Sequence, residues 1–293
     1  SPQSARARQR RPPLPSRPYR THMRLINLTK YPIDRLSSVA GQALLHHCHT
    51  ELSSKGFVAL DDFMMPEATA SVLNESEQLE SGGGGFYSTE THNIFLTEEG
   101  PSPASLQPDH PRRLEMSSSK KIFPADELSL ATPLKEIHEW PPMVDFIKAA
   151  LKKEALYPSA CPLGKFYINT FGEGDQLGWH FDNSEFSINL IMQPAEAGGA
   201  FEYAPRTRDA VDAMAAFPPV ERVGEHLPVL APPLLSSSLY LFHGRNSLHR
   251  VSPVQRGKRV NAILAYNSGP DERLNDYTLR KFFGRTEVLH RAA

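Results

Sequence analysis

The segment Gly178-Trp-His-Phe-Asp182, with Ser247-Leu-His-Arg-Val251 further on, holds the residues best suited to chemistry. His180, Asp182 and His249 offer two imidazoles and one carboxylate, and three such ligands on one side of a metal leave the opposite positions open. That donor set suits a ferrous ion that must take a cosubstrate and dioxygen at once. The spacing supports it, because residues two apart on a β-strand point to the same face, so His180 and Asp182 turn inward together while Trp179 and Phe181 turn away. His249 follows 69 residues after His180, a separation that a neighbouring strand closes.

Arg259 stands after the turn signal Gln255-Arg-Gly-Lys258 and opens the run Arg259-Val-Asn-Ala-Ile-Leu-Ala-Tyr266. A guanidinium at the start of an inward-facing strand suits bidentate clamping of a dicarboxylic acid, which a lysine would hold less rigidly. The natural candidate is 2-oxoglutarate. Arg256 is the fallback anchor.

These residues give the chain its resemblance. It is similar to the Fe(II)/2-oxoglutarate-dependent dioxygenases, whose H-x-D…H ligand pattern it repeats as His180, Asp182 and His249. The cosubstrate motif appears as Arg259-Val-Asn261, with Asn where Ser is commoner, so only the arginine carries over. Three further phrases narrow the match: Phe171-Gly-Glu-Gly-Asp-Gln-Leu-Gly-Trp-His180, Gln193-Pro-Ala-Glu-Ala-Gly-Gly-Ala-Phe-Glu-Tyr203 and Asn275-Asp-Tyr-Thr-Leu-Arg-Lys-Phe-Phe-Gly284. They resemble the clade of free-amino-acid halogenases and their hydroxylase relatives. Halogenases of that clade replace the ligand carboxylate by a small residue to admit chloride. This chain keeps Asp182, which argues against halogenation.

The resemblance implies Fe(II), with 2-oxoglutarate and O2 as cosubstrates, and oxidation of an unactivated C–H bond of a free amino acid or similar small molecule, with hydroxylation as the default outcome. Aziridine formation or desaturation on an aliphatic amino acid such as valine is compatible with the same ligands. Hydroxylation of a peptide and a non-catalytic metal-binding module are the competing readings. Tyr167 and Asn169 alternate on the strand before the metal pair and are candidates for cosubstrate contact. Asn183, Glu202, His92 and Asn93 are candidates for substrate contact, although polar residues that merely satisfy backbone groups leave the same trace.

Other clusters read as structure. In Leu44-Leu-His-His-Cys-His49 the histidines point in different directions on the expected helix and lack an i, i+4 pair. His243 sits beside Gly244 in an apparent hairpin turn and is read as a turn residue. Gly82 to Gly85 lacks the lysine of a phosphate loop and reads as a connector or lid hinge.

The surrounding elements follow from periodicity. A helix is expected over Asp34 to Ser54, with Leu45, Cys48 and Leu52 on one face and Gly56 past its end. A strand at Phe57 to Leu60 and a helix from Pro66 to Ser81 come next. Phe86 to Pro101 is strand-like, a polar stretch follows, and Val144, Ile147 and Leu151 mark another helix. Strands are expected near 164–171, 176–182, 185–193, 199–204, 236–243, 247–252 and 258–267. The fold class is therefore α+β, mainly β: a double-stranded β-helix (jelly-roll) core at about 164–267 with N-terminal supporting helices. Residues 206–233 interrupt the strand spacing with a short helix, Arg208 to Phe217, and five prolines; they are expected as a surface insertion over the mouth of the site.

Residues 23–293 read as a single domain. Residues 1–22 carry six arginines, five prolines and no acid, and are taken as a disordered basic segment or an expression remnant, with Met23 as candidate initiator and an Arg-rich transit peptide as the rival reading. Without them 26 basic side chains face 33 acidic ones, a net of −7. A mildly acidic body of this kind argues against a nucleic-acid partner. Cys48 and Cys161 are too few for a disulfide framework, and no apolar run is long enough for a membrane, so a cytoplasmic, reducing location is expected. The oligomeric state is left open.

Overall fold

Alternation of side chains along the strands organises the molecule. A computed structural model describes residues 24–96 and 106–289; the basic head and Met23 lie outside the described residues, as does the end of the strand-like run expected from Phe86 to Pro101. The helical support comprises α1 (Val39–Lys55), α2 (Pro66–Ser81), α3 (Pro133–Glu139) and α4 (Pro141–Ala150). The ten strands of the large sheet are β1 (Phe57–Leu60), β2 (Phe86–Asn93), β3 (Glu115–Pro124), β4 (Phe166–Phe171), β5 (Gln176–His180), β6 (Ser187–Gln193), β7 (Phe201–Ala204), β8 (Ser238–Phe242), β9 (Leu248–Val251) and β10 (Arg259–Leu264). Helix α5 (Asp276–Phe283) follows.

The strands form one curled antiparallel sheet in the order β1-β8-β6-β10-β4-β3-β5-β9-β7, with β2 hydrogen-bonded to β3. This is the jelly-roll arrangement the strand pattern predicts. Along β6, Ile188, Leu190 and Met192 enter the main core; so do Leu239 and Leu241 of β8, Val260, Ala262 and Leu264 of β10, and Phe166 and Ile168 of β4. The N-terminal helices cover that face with Leu44, Cys48, Val72, Ile137, Phe146 and Ile147. Burying it supplies the main driving force of the fold, at roughly 1.5–3 kcal/mol per large apolar side chain. The residues between them, including Asn189, Tyr240, Asn261 and Asn169, face the opposite way and line a cavity.

Most expected elements stand where the sequence places them. Helix α1 starts later than expected because the Ser38 hydroxyl accepts the Gly41 amide and so fixes the N-terminus; Ile33–Arg35 is a separate 3-10 turn. It ends at Gly56, whose φ of 68° closes the helix in the left-handed region that glycine adopts without strain. Cys48 is buried, His46 and His47 are exposed, and His49 Nε2 donates to the Ala149 carbonyl at 2.9 Å; the cluster holds a helix–helix contact.

Three expectations change. The polar stretch before α3 contains β3, a ten-residue strand in the middle of the sheet. Its inward positions include Ser118 and Lys120, so no apolar alternation announced it. The insertion after Thr207 does not cover the mouth: Val211, Phe217, Val223 and Leu227 pack on Trp179, Phe181 and Leu248, outside the strands that carry the metal ligands. Its helix is a single short turn, Arg208–Asp212. The mouth is rimmed by α5 and the chain before it, through Leu274, Thr278, Lys281 and Phe282. No described helix is long and apolar enough to cross a membrane.

Candidate active site

Strands β5 and β9 are antiparallel neighbours in which His180 and His249 are directly opposed, and their rings lie 4.1 Å apart between centroids. This juxtaposition closes the long sequence gap between the two histidines. Asp182 is not on the strand as expected. Strand β5 ends at His180, and the Asp182 amide donates to the Gly244 carbonyl at 3.1 Å. The carboxylate still meets the rings, with Oδ1 at 3.5 Å from His180 Nε2 and 3.4 Å from His249 Nε2. A Cβ on Gly244 would stand 1.9 Å from Asp182 Oδ2. Glycine at 244 is what leaves room for the carboxylate. His243 stands between β8 and the turn that Gly244 opens, with its amide donating to the Gly56 carbonyl at 2.9 Å.

The ring orientations are fixed from behind. His180 Nδ1 lies 2.7 Å from the Gly178 carbonyl and His249 Nδ1 lies 2.9 Å from the Ser247 carbonyl. A carbonyl only accepts, so both Nδ1 atoms carry a hydrogen and both Nε2 atoms face Asp182, the side from which a metal would be bound. Burial and the neighbouring His249 push the His180 pKa down, which keeps that ring neutral. Burial opposes ionisation of Asp182, but the His249 and His180 imidazoles beside it hold its carboxyl below the usual carboxylate range. One ligand atom from each of the three residues falls within 4.8 Å of the others. Two imidazoles and a carboxylate fit a divalent first-row metal, and among the described residues this is the group able to hold one.

Arg259, 3% exposed, lines the same cavity. Its Nη1 donates to Asn261 Oδ1 at 2.6 Å, and Asn261 Nδ2 donates to Asn189 Oδ1 at 3.0 Å. The asparagine that departs from the commoner motif thus aims the guanidinium. Arg259 Nη2 is buried with no partner. A buried guanidinium with an unused donor requires an anionic acceptor, and the distal carboxylate of 2-oxoglutarate has the right charge and the right two-oxygen edge. Arg256 is exposed and paired with Glu196 at 2.9 Å, which removes the fallback anchor.

Alternation decides the remaining candidates. Tyr167 and Asn169 share the inner face of β4 and line the cavity, with Asn169 Oδ1 buried and unpartnered. Burial pushes the Tyr167 hydroxyl pKa up, so it remains a donor. His92 lines the cavity from β2; its Nε2 meets Ser118 Oγ at 2.7 Å and its ring lies 5.8 Å from that of His180. Asn183 borders the cavity, but its amide donates to the Leu96 carbonyl at 3.2 Å. Glu202 is a correction: Phe201 faces the cavity, so Glu202 turns outward, where it pairs with Arg250 at 2.7 Å. Asn93 is a second correction for the same reason. It alternates with the inward His92, and its Oδ1 accepts the Phe95 amide at 2.9 Å.

Lys120, which no sequence motif marks, is 8% exposed and lines the cavity. Burial pushes its pKa down to about 8, with Asp182 opposing and Arg259 adding to the effect. No signal short of the sheet register could have found it, since a lone lysine in a serine-rich run reads as surface. The enclosed volume is about 340 Å³, the size of a small-molecule site.

Comparison with known proteins agrees with this geometry. The family model described as Halogenase D matches residues 40–279. Among solved structures, the fold is similar to the non-haem α-ketoglutarate-dependent epimerase SnoN from nogalamycin biosynthesis, with TM-score 0.51 and 13% identity over 77% of this chain and 83% of that one. The carbocyclase SnoK, non-haem and α-ketoglutarate-dependent and also from nogalamycin biosynthesis, gives 0.50 and 11% over 84% and 93%. AviO1 from Streptomyces viridochromogenes gives 0.50 and 13% over 78% and 97%. At such identities the likeness concerns the fold alone. No curated protein sequence matches the chain. The family match extends from α1 to α5, and the chain belongs to the Halogenase D family, as an oxygenase that uses Fe(II) and 2-oxoglutarate.

Proposed function

We propose that this enzyme hydroxylates an unactivated C–H bond of a free amino acid or a similarly small molecule. The observation that carries the reading is the joint presence, in one cavity of about 340 Å³, of the His180–Asp182–His249 group and a buried guanidinium with an unused donor. In this reading His180, Asp182 and His249 hold Fe(II), and Arg259 receives the far carboxylate of 2-oxoglutarate. Fe(II) with 2-oxoglutarate would activate dioxygen, the oxidant, one oxygen atom going to succinate as the keto acid loses carbon dioxide and the other to the substrate C–H bond.

The protein's own contribution is positioning and exclusion. The Gly178 and Ser247 carbonyls keep the two rings turned with Nε2 forward, and Asn261 with Asn189 keeps the guanidinium aimed. Tyr167 and Asn169 face the cosubstrate side, where the Tyr167 hydroxyl can donate to 2-oxoglutarate. Phe201, Tyr240 and Ile263 line the wall and keep water away from the reacting carbon. His92 packs beside His180 at the substrate end. Retention of Asp182 leaves the metal its protein carboxylate, which favours a hydroxyl product over a halide.

The experiment is a screen of free amino acids for Fe(II)- and 2-oxoglutarate-dependent succinate release, with mass spectrometry of the product. A gain of one oxygen supports hydroxylation. A loss of two hydrogens replaces it by cyclisation or desaturation, and a gain of chlorine replaces it by halogenation. Turnover with peptides alone would overturn the small-molecule reading.

A further inference from the structure

Lys120 has no role in the chemistry described so far. It lies on the inner face of β3, two residues from Ser118 and opposite Ser88 of β2, both of which line the cavity. Among the described residues no hydrogen bond or ion pair engages its ammonium. Its charge faces the Phe282 ring of α5 at 5.4 Å to the centroid. The other cavity lysine differs: Lys281 is paired with Glu90 at 3.1 Å. A cation held this deep without a counter-charge is costly, and it persists where a ligand brings the opposite charge.

The charges of the filled site show what that ligand must be. Fe(II) and Arg259 together carry three positive charges. Asp182 and doubly ionised 2-oxoglutarate carry three negative ones, and the two imidazoles are neutral. Lys281 and Glu90 cancel each other, and so do the charges of Arg273 and Glu272, both exposed at the rim. One positive charge, that of Lys120, is left over, and it lies in the cavity that the substrate enters.

We propose that Lys120 receives the carboxylate of the substrate, so that the cavity selects small molecules with a free carboxyl group. The assignment rests on the small-molecule reading above and deepens it. Arg259 and Lys120 then divide the two carboxylate tasks between them: the first takes the cosubstrate, the second the substrate. A residue inside a peptide has no free main-chain carboxylate to offer, so the same lysine discriminates against polypeptides. Phe282 on α5 flanks the ammonium and links the charge to the mouth through which the substrate passes.

The test uses the full chain loaded with Mn(II) and 2-oxoglutarate, and follows thermal melting against free amino acids and their carboxamides. In the wild-type protein at least one amino acid is expected to raise the melting temperature while its amide does not. Lys120→Met should weaken binding of that amino acid by about tenfold to a hundredfold, the usual loss for a charged partner, and leave 2-oxoglutarate affinity unchanged. Lys120→Arg should restore most of it. The unliganded Lys120→Met protein should melt no lower than wild type, because it loses an unpaired buried charge. A drop in 2-oxoglutarate affinity with amino-acid affinity intact would overturn the assignment in favour of the cosubstrate. Equal binding of acid and amide, or undiminished binding to Lys120→Met, would overturn it while leaving the small-molecule reading in place. If no amino acid shifts the wild-type protein, the assignment and the free-amino-acid reading fall together.

Discussion

The two ends of the cavity are built differently. At the metal end every orienting contact comes from a strand or from the backbone beside one: Gly178 and Ser247 carbonyls behind the histidines, Gly244 against Asp182, and an asparagine pair behind Arg259. At the mouth, orientation depends on a short helix, α5, held by Asn275 at its N-cap, by the Lys281–Glu90 pair and by Phe283 in a small core. Sheet positions fix geometry to a fraction of an ångström because both neighbours constrain them, whereas an eight-residue helix on the rim can adjust. In the reading proposed above, the metal and cosubstrate would rest on the first kind of support and the choice of substrate on the second.

That contrast can be broken by mutation. The largest effect is expected from Asp182→Ala, which removes the only carboxylate of the triad and should abolish succinate formation; metal content measured by atomic emission should fall with it. Gly244→Ala tests the support instead of the ligand. Its methyl would occupy the carboxylate's place, and metal binding should weaken strongly although all three ligands remain.

Arg259→Ala should leave metal content intact and weaken 2-oxoglutarate binding by about a hundredfold, corresponding to roughly 3 kcal/mol for a buried charged partner. Calorimetric titration of the metal-loaded protein checks it, and unchanged affinity would place the anchor elsewhere.

A smaller effect concerns stability. His138 of α3 is buried, its Nε2 lies 2.7 Å from the Ala265 carbonyl, and burial pushes its pKa down to about 4 from 6.5. The folded state therefore resists protonation more than the unfolded chain does. Its contribution is fully present above pH 6.5 and is lost as the pH falls toward 4, by up to about 1.4 kcal/mol per pH unit for one proton. Denaturant melts across that window should show the loss, and His138→Gln should lessen it, the remainder belonging to groups such as His92, which burial also pushes down to about 4.

The smallest effect belongs to the mouth. Asn275→Ala removes the cap bond to the Thr278 amide, 2.8 Å long, at a cost of about 1 kcal/mol to α5. It should raise the substrate KM severalfold with 2-oxoglutarate affinity unchanged. Equal changes in both would show that the two ends are not separable.

The candidate ligands, the candidate arginine and most of the strands were legible in the sequence by itself, because each depends on short-range rules. His180 and Asp182 stand close in sequence, His249 and Arg259 sit in strongly apolar runs, and helices α1 and α2 carry their own start and stop signals. Which side of a strand a polar residue faces could not be read that way. Glu202 and Asn93 looked suited to the substrate, yet one step of alternation turns both outward, while Lys120 and Ser118 in an apparently polar stretch turn in. The insertion and α5 exchange places for a related reason: their positions depend on which apolar surface each one covers, and that surface exists only once the sheet has curled. Pairing register and the sides of a sheet are set by contacts between residues far apart in the chain, so only the tertiary structure could assign them.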